Sequence, residues 1–377
     1  MVNFLKKVKN KICFLFKTIF FKKKLVIKKL LEMKIKFFLN KKIEILHICI
    51  NEPKFMLSYI DFINKNFDNN NHLFVIFGNF AVDRKIHKNV FYFSEIGVRE
   101  VCSLIRKSKK IILHGMWEKI VMDYIVQNNI IMNKTYNLLW GGDFYFPEEQ
   151  PEWRINYIKK LKHVVTFIDG DVEYIKKNYG IDPIYHKSIM YLNGIFDESI
   201  YLGFEKFKDN DELWIKVGNS ASDTNNHEFI FEKIKYLKDK NIKIITPLSY
   251  GVESIKEKIN RIGLEMFNEK FYPLNDFMEY NEYLKILYNV DIAIFYQYRQ
   301  QAMGNLIQLL GLGKKVYLNK GTSQWDLFTK LGVKVYDFNE GFDLDFNKEE
   351  LERNKVIIKE YFSEDKFFND LNNLFKE

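Results

Sequence analysis

Two spacings of apolar residues alternate along most of the chain. From residue 43, short apolar runs rich in β-branched residues precede longer segments with apolar positions three or four residues apart. The short runs predict strands and the longer segments predict helices. In the first half we expect strands at 43–49, 73–77, 90–93, 110–114, 137–141 and 164–168, and helices at 53–67, 98–107 and 117–128. This rhythm is typical of a parallel sheet covered by helices on both faces.

The alternation stops at residues 191–211, where charge replaces the apolar pattern, and we interpret this region as a linker. A second series follows, with predicted strands at 213–217, 242–246, 291–296, 315–318 and 333–336, and with helices between them. The charged end, 348–376, should also be helical. The pattern predicts an α/β protein with two doubly wound, Rossmann-like domains, 43–203 and 204–377, facing across a cleft. In many proteins with two such facing domains the terminal helix crosses back onto the first domain, and we expect the same here.

The first 42 residues form a distinct basic arm. They contain 14 lysines and one acidic residue, Glu32, which gives +13, so the rest of the +9 chain carries 9 − 13 = −4. Its apolar residues share one face of a helix: Phe4, Leu5, Val8, Ile12, Leu15, Phe16, Ile19 and Phe20. We predict an amphipathic helix on an anionic membrane surface; a solvated tail is the alternative. The apolar run is shorter than the roughly 20 residues that span a bilayer.

The charge and the cysteines exclude other classes of protein. A mildly acidic body argues against a nucleic-acid binder, whose basic surface would lie on the folded domain. The arm lacks the small-residue cleavage site of a signal peptide. Cys13, Cys49 and Cys102 are odd in number and lack metal-ligand spacing, which fits a reducing compartment.

The loops after the predicted strands of the second half could hold a diphosphate. Because ligands of such sheets bind at the carboxyl ends of the strands, these loops are the first place to look. Arg299 precedes a helix that starts near Gly304, so a fixed positive charge lies beside free backbone amides. Gly218 and Ser220 precede a second helix start near Asn225. Two amide-rich turns and an arginine suit a diphosphate, although a plain crossover with an incidental arginine remains an alternative.

Tyr250 follows another strand and could stack on a base or a sugar, or could simply belong to a surface turn. In the first half, His114 and Asp143 follow strands and could accept a proton from an attacking hydroxyl. A structural histidine and a capping aspartate are the alternatives. Trp117 and Trp140 flank them and offer flat faces to sugar rings.

Other motifs give no metal or nucleotide signature. Asp169-Gly170-Asp171 has the Asp-x-Asp form of a metal–nucleotide site, but Asp171 is expected to cap a helix. The chain contains no P-loop lysine motif, no Cys/His cluster and no nucleophile elbow. We therefore predict no metal and no cofactor.

Several segments together resemble one enzyme family. They are His114-Gly115, Trp140 to Tyr145, Val217 to Ser220, Asn225 to His227, Pro247 to Tyr250, Arg299 to Gly304, Asn319 and Trp325. In order and spacing they are similar to family 56 glycosyltransferases, over roughly residues 45–340. The arm lies outside the resemblance, and Gly142 stands where a bulkier small residue is expected.

The resemblance implies a GT-B fold and a TDP-sugar donor of the N-acetylfucosamine type. It also implies a polyprenyl-diphosphate-linked acceptor at the cytoplasmic face of the bacterial inner membrane, as in enterobacterial common antigen assembly. The implied donor residues are Gly218, Asn219, Ser220, Asn225, His227, Tyr250, Arg299, Gln300, Gln301, Gly304, Gln308 and Asn319. Trp117, Trp140 and Gly141 would face the acceptor, Asp143 and His114 would be catalytic, and Gln308 would bind a ribose hydroxyl. Two alternatives remain, a non-catalytic nucleotide-sugar-binding protein and a GT-B enzyme with a different donor and acceptor.

Overall fold

The computed structural model describes residues 43–83, 86–209 and 211–377, together with Met33, Lys36 and Phe38. Apart from those three residues, the predicted amphipathic arm lies outside the described residues. In the described part of the chain, no helix combines the length and the apolar character needed to cross a membrane.

The first half forms a seven-stranded sheet in which every strand pairs in parallel, in the order β3-β2-β1-β4-β5-β6-β7. The strands are β1 (Ile43–Cys49), β2 (His72–Ile76), β3 (Val90–Tyr92), β4 (Ser108–Leu113), β5 (Thr135–Leu138), β6 (His163–Thr166) and β7 (Ile184–Lys187). The pattern of the sequence did not predict β7, because this edge strand is partly exposed and mixes apolar with polar residues.

Helices cover both faces of this sheet. They are α1 (Pro53–Asn66), α2 (Phe93–Lys107), α3 (Lys119–Val126), α4 (Asn129–Met132), α5 (Glu152–Ile158) and α6 (Asp169–Tyr179). Pro53 at the first position favours the start of α1, since proline lacks the amide hydrogen that a first turn leaves unpaired. Gly180 ends α6 in the left-handed conformation (φ 67°) that glycine adopts without strain.

The second half forms a six-stranded parallel sheet in the order β10-β9-β8-β11-β12-β13. The strands are β8 (Leu213–Val217), β9 (Ile242–Pro247), β10 (Phe271–Leu274), β11 (Ile292–Phe295), β12 (Lys315–Leu318) and β13 (Tyr336–Asp337). The sequence missed β10, where Pro273 lies in an edge strand, the position that tolerates proline. The strand predicted at 333–336 begins three residues before the observed β13 and overlaps it only at Tyr336.

The helices of the second half are α7 (His227–Ile234), α8 (Glu253–Phe267), α9 (Tyr280–Asn289), α10 (Met303–Gly311), α11 (Ser323–Lys330), α12 (Lys348–Tyr361) and α13 (Glu364–Lys376). The predicted long terminal helix is thus two helices. The break occurs because Phe362 leaves the helical conformation and the Ser363 side chain caps α13 by accepting a hydrogen bond from the amide of Lys366.

The last helix packs against the first sheet and its helices. The rings of Phe367 and Phe62 lie 4.6 Å apart between centroids, and Phe375 lies 4.8 Å from His72. The ammonium of Lys110 donates to the carbonyl of Leu374 near the end of α13. One apolar cluster extends from α1 and β1 through β11 and α10 to α13, so the two sheets share a continuous core. The prediction of two Rossmann-like domains in an α/β fold is confirmed.

Candidate active site

A cleft of about 640 Å³ separates the carboxyl ends of the two sheets. Loops of the first sheet contribute Trp117, Trp140 and Asp171, and loops of the second contribute Asn219 and Arg299. A depression of similar size lies on the outer edge of the second sheet and is built from that domain alone. Because the cleft combines strand-end loops from both domains, it is the better candidate for an active site.

The segment between β11 and α10 forms the cationic wall of the cleft. Arg299, Gln300, Gln301 and Gly304, which the sequence assigned to the donor, all line it. Ala302 has left-handed backbone angles (φ 60°) and directs the chain into α10. The backbone amides of Met303, Gly304 and Asn305 donate to no acceptor within the described residues. The positive end of the helix and the guanidinium therefore face the same space.

Gly304 also has a steric role. A Cβ atom at this position would lie 3.0 Å from the carbonyl oxygen of Asn193, in the linker between the sheets. Glycine thus allows the linker to approach the start of α10 closely. The contact narrows the cleft beside the free amides.

The loop after β8 is built differently from the expectation. Asn219 lines the cleft, but Ser220, Asn225 and His227 are buried beneath it and are not among its lining residues. Asn225 Oδ1 accepts a hydrogen bond from the amide of Asn219 at 3.0 Å, and its Nδ2 donates to the carbonyl of Ser220 at 3.1 Å. These side chains shape the loop, which corrects their assignment as direct donor contacts.

Gly218 has a similar structural role. Its φ is +63°, and a Cβ atom there would lie 2.5 Å from Nε2 of His227. Glycine is therefore required for both the backbone conformation and the close packing of the imidazole. Gly218 is not among the residues that line the cleft, so the structure gives it a role in shaping the loop.

Gln297, which the analysis of the sequence did not single out, connects the strand-end loops of the second domain. Its Nε2 donates to Oδ1 of Asn219 at 2.6 Å and to Oδ1 of Asn225 at 3.1 Å. Asn319 Nδ2 donates to the carbonyl of Gln297 at 2.9 Å, so Asn319 supports the loop rather than lining the cleft. Gln297 is fully buried, and the signal that the sequence offered was its position directly after an apolar strand.

Tyr250 lines the cleft and is about half exposed (55%). Its hydroxyl accepts a hydrogen bond from Nδ2 of Asn219 at 2.7 Å. Gly251 follows with φ +122°, and a Cβ atom there would lie 2.2 Å from the carbonyl oxygen of Ala221. The ring is therefore held at its hydroxyl by Asn219, and the backbone that follows it packs closely on Ala221. One face of the ring remains available to a ligand.

Gln308 lines the cleft, and both ends of its side-chain amide are held by the linker. Its Oε1 accepts a hydrogen bond from the hydroxyl of Tyr201 at 2.7 Å, and its Nε2 donates to the carbonyl of Ile195 at 2.7 Å. Both partners belong to the linker. Gln308 therefore fastens the linker to α10, and its contact with a ribose hydroxyl stays a prediction.

The cationic wall of the cleft contacts the first domain at Gly141. This residue has φ +84°, and a Cβ atom there would lie 2.9 Å from Oε1 of Gln300 and 3.4 Å from a guanidinium nitrogen of Arg299. Burial lowers the pKa of Arg299, while Tyr145, Asp143 and other acidic groups raise it. The predicted acceptor loop and the predicted donor loop are thus in direct contact.

Asp143 is fully buried, which contradicts its prediction as an exposed base. Its Oδ2 accepts a hydrogen bond from the amide of Met116 and its Oδ1 one from the amide of Trp140, both at 3.0 Å. Burial raises its pKa to about 6, although the backbone hydrogen bonds oppose the rise. The carboxylate holds two loops together and does not line the cleft.

His114 is also fully buried. Its Nδ1 forms a hydrogen bond with the hydroxyl of Tyr191 at 2.8 Å, and its Nε2 lies 3.3 Å from Nδ1 of His47. Burial lowers the pKa of His114 to about 3, so the ring is neutral at physiological pH. Tyr191 lines the cleft in its place, which corrects the prediction that His114 meets the acceptor directly.

The two predicted tryptophans lie at the cleft. Trp140 packs edge-on against Phe55 and Tyr191, with ring centroids 4.8 Å and 5.2 Å away. Trp117 is 38% exposed and carries the guanidinium of Arg154 over its ring at 4.4 Å. The cleft therefore has the aromatic wall that sugar rings favour.

Asp171 reaches the cleft, which the sequence did not predict. It does not cap a helix, because α6 begins at Asp169 and Asp171 lies within its first turn. Asp169 instead pairs with Lys187 at 2.7 Å and with Lys330 at 2.5 Å. Among the described residues, no group of three or more His, Cys, Asp or Glu side chains could hold a metal ion.

Comparison with known proteins is consistent with this geometry. The model of the family described as 4-alpha-L-fucosyltransferase glycosyl transferase group 56 matches residues 85–356. This chain belongs to glycosyltransferase group 56. The match includes the strand-end loops on both sides of the cleft except those after β1 and β2, and it confirms the family resemblance.

Solved glycosyltransferases share the fold. A glycosyltransferase from Rickettsia africae is 12% identical with a TM-score of 0.62, and the match covers 89% of this chain and 98% of that chain. Sucrose-phosphate synthase from Thermosynechococcus elongatus is 9% identical with a TM-score of 0.63 over 89% and 98%. Anabaena HepE, solved in complex with UDP, is 10% identical with a TM-score of 0.58 over 89% and 95%. The group 56 chain is therefore a glycosyltransferase with a GT-B fold.

Proposed function

We propose that this enzyme moves a deoxy-amino sugar of the N-acetylfucosamine type from a TDP-sugar to a polyprenyl-diphosphate-linked saccharide. The observation that carries the proposal is the position of Arg299 beside the free amides of Met303, Gly304 and Asn305 in the interdomain cleft. The group 56 match supports a fucose-like donor, since the description of that family names a fucosyltransferase.

The diphosphate is the part of the donor that this wall suits best. Negative charge grows on the departing diphosphate as the bond to the sugar breaks. Fixed donors aimed at that charge lower the barrier because they need no rearrangement during the reaction. The guanidinium and the start of α10 supply both a charge and aligned dipoles, so the proposal includes no metal ion.

The nucleoside would extend toward Tyr250. This ring lies on the same side of the cleft as Tyr280 and Tyr283, and all three line it. Aromatic faces can stack on a pyrimidine, and the polar edge of Asn219 lies between Tyr250 and Gln297. The diphosphate would then lie between this aromatic group and the first domain.

The acceptor would enter from the side of the first domain. Trp117 and Trp140 provide flat apolar faces for a saccharide. The basic arm, with a charge of +13 over residues 1–42, would hold the enzyme on the anionic cytoplasmic surface of the inner membrane. There it would meet a lipid-linked acceptor whose diphosphate lies near the bilayer.

Nucleotide-sugar binding tests the donor. We expect TDP and a TDP-linked acetamidodideoxyhexose to raise the melting temperature more than the UDP and GDP equivalents. Arg299→Ala should weaken TDP binding about 10- to 100-fold by calorimetry, because a charged hydrogen bond contributes about 1.5–3 kcal/mol. Arg353→Ala, on the outer edge of the second sheet, is the matched control and should bind TDP normally. Equal affinity in all three proteins would place the diphosphate elsewhere.

Transfer to a polyprenyl-linked saccharide tests the acceptor and the membrane site. Product should form with the lipid-linked acceptor and not with the same saccharide in free form. Removing residues 1–42 should lower co-sedimentation with anionic vesicles and leave neutral vesicles unaffected. Unchanged partitioning of the shortened chain would contradict the role of the arm, and turnover of free saccharide at the same rate would contradict the lipid-linked acceptor.

A further inference from the structure

We infer that Asp171 is the group that removes the proton from the attacking hydroxyl of the acceptor. The inference rests on the proposed glycosyl transfer, but not on the identity of the sugar or the nucleotide. It replaces Asp143, whose two oxygens both accept hydrogen bonds from backbone amides.

The two oxygens of Asp171 have different surroundings. Oδ1 accepts hydrogen bonds from the hydroxyl of Tyr145 at 2.7 Å and from the hydroxyl of Ser323 at 2.6 Å. No residue in the described part of the chain donates to Oδ2. Asp171 is itself only 1% exposed, but unlike Asp143 it lines the cleft, so the carboxyl is held by one oxygen and can offer the other to a substrate that enters the cleft.

This anchoring spans both domains. Asp171 and Tyr145 belong to the first domain, and Ser323 begins α11 of the second. Close packing supports it, because a Cβ atom at Gly170 would lie 2.5 Å from Cβ of Ser323. The carboxyl is therefore fixed relative to the cationic wall of the second domain as well as to the first domain. A base needs both in order to meet the donor and the acceptor.

Burial, hydrogen bonds and charged neighbours together set the pKa of Asp171 near neutral pH. Burial raises the pKa of Asp171 to about 7, and Asp143 adds to the rise. The hydrogen bonds from Ser323 and Tyr145 and the charge of Arg299 lower it. A carboxyl with a pKa near the working pH is both deprotonated in a large fraction of molecules and basic enough to take a proton.

The other acidic groups near the cleft are less suited to this role. Asp143 has both oxygens bonded to backbone amides and is absent from the lining. Asp169 is paired with two lysines outside the cleft. Glu52 lines the cleft but is exposed at the start of α1, where no described side chain fixes its position.

The step conserves atoms and charge. The acceptor oxygen forms a bond to the anomeric carbon of the donor while the bond between that carbon and the diphosphate oxygen breaks. The bonding electrons leave with the nucleoside diphosphate, which Arg299 and the amides of α10 stabilise. The acceptor proton passes to Oδ2 of Asp171, which later returns it to water.

Asp171→Asn provides the first test, with Asp169→Asn as its matched control in the same helical turn. The assay uses the nucleotide sugar that the wild type turns over. We expect Asp171→Asn to lose at least about 100-fold in kcat with unchanged nucleotide affinity, because general base catalysis contributes about 10²- to 10⁴-fold. Asp169→Asn should keep its kcat. If the wild type transfers sugar and Asp171→Asn does so at a similar rate, Asp171 is not the base, even though the proposed function stands.

Ser323→Ala gives a test that a purely structural role would not pass. Removing a hydrogen bond that favours the carboxylate should raise the pKa of Asp171. Activity that requires the carboxylate falls as the pH drops through this pKa, so the acid limb of kcat/KM should move to higher pH. A lower rate with an unmoved acid limb would overturn the assignment. If another nucleotide sugar is turned over and the TDP-sugar is not, the proposed donor is wrong and the role of Asp171 is unaffected.

Discussion

Nε2 of Gln297 lies 2.6 Å from Oδ1 of Asn219 and 3.1 Å from Oδ1 of Asn225, and donates to both. Gln297 follows β11 and the two asparagines follow β8, so one buried amide connects the loops of two adjacent strands. Gln324 and Gln301 extend the network, because Nε2 of Gln324 donates to Oε1 of Gln297 at 3.4 Å and its Oε1 accepts a hydrogen bond from the amide of Gln301 at 2.9 Å. The donor side of the cleft is therefore organised before a ligand binds.

Gln297→Met should loosen this arrangement. The substitution keeps the length of the side chain but removes the buried donor that Asn219 and Asn225 share, at a cost of about 1–3 kcal/mol in unfolding free energy. Nucleotide affinity should fall more than about fivefold, because the loops lose their common support. Urea unfolding and calorimetry with TDP measure the two effects. Gln127→Met, at an exposed position, is the control, and equal behaviour of the two variants would contradict the role of the network.

Gly141→Ala tests the contact between the domains. Gly141 and Gly203 have nearly the same positive φ, +84° and +83°, but only at Gly141 does a Cβ atom meet neighbours, Gln300 and Arg299. Both alanine variants should lose about 1 kcal/mol from backbone strain. Only Gly141→Ala should also lower kcat, because the added methyl group pushes the two walls of the cleft apart.

Steady-state kinetics separate these effects, since strain alone changes the unfolding free energy and not kcat. If Gly203→Ala lowers kcat as much as Gly141→Ala, the contact between Gly141 and Gln300 has no special role in the reaction.

The sequence predicted the fold well because buried parallel strands are continuous apolar runs. The observed bounds of β1, β8 and β12 equal the predicted ones, 43–49, 213–217 and 315–318. It failed at β7 and β10, which are edge strands. Their residues include His186, Lys187 and Pro273, and pairing on one side alone lets such residues occupy a strand.

The site was predicted only in part. Strand-end loops must meet at one edge of a parallel sheet, so Asn219, Tyr250 and Arg299 do line the cleft. Which way a polar side chain in such a loop points depends on partners elsewhere in the chain. Asp171 meets Ser323, 152 residues away, and Gln308 meets Ile195, 113 residues away. No local pattern contains that information.

Asp143→Asn separates the corrected role of Asp143 from the original one. The carboxylate accepts hydrogen bonds from two backbone amides, whereas an asparagine has one acceptor and directs an NH₂ group at the other amide. Stability should fall by about 1–3 kcal/mol. The kcat of the folded fraction should remain within about threefold of the wild type. A loss of kcat like that expected for Asp171→Asn, with normal stability, would restore Asp143 as the base.

Lys216 predicts a pH dependence of stability that can be assigned to a single residue. It is fully buried next to the donor loop, donates to the carbonyl of Gly218, and lies 4.4 Å from the centroid of the Phe295 ring. Burial lowers its pKa to about 7, and His227 is the titratable neighbour. In the unfolded chain the pKa of a lysine is about 10.4, so between pH 7 and this value the unfolded chain binds more protons than the folded protein. Stability from this group therefore rises from about pH 7 toward pH 10 and is flat below pH 7.

Lys216→Met removes this titration, so the difference in unfolding free energy between variant and wild type should depend on pH. The variant should be relatively more stable at pH 6.5, where the wild type keeps a buried cation, than at pH 9.5, by about 2–3 kcal/mol. All other titrating groups are common to the two proteins and cancel in the difference. Urea unfolding at the two pH values measures it, and Lys243→Met, whose ammonium lies over the rings of Trp214 and Tyr272, is the control. A pH-independent difference for Lys216→Met would show that this lysine keeps an ordinary pKa inside the fold.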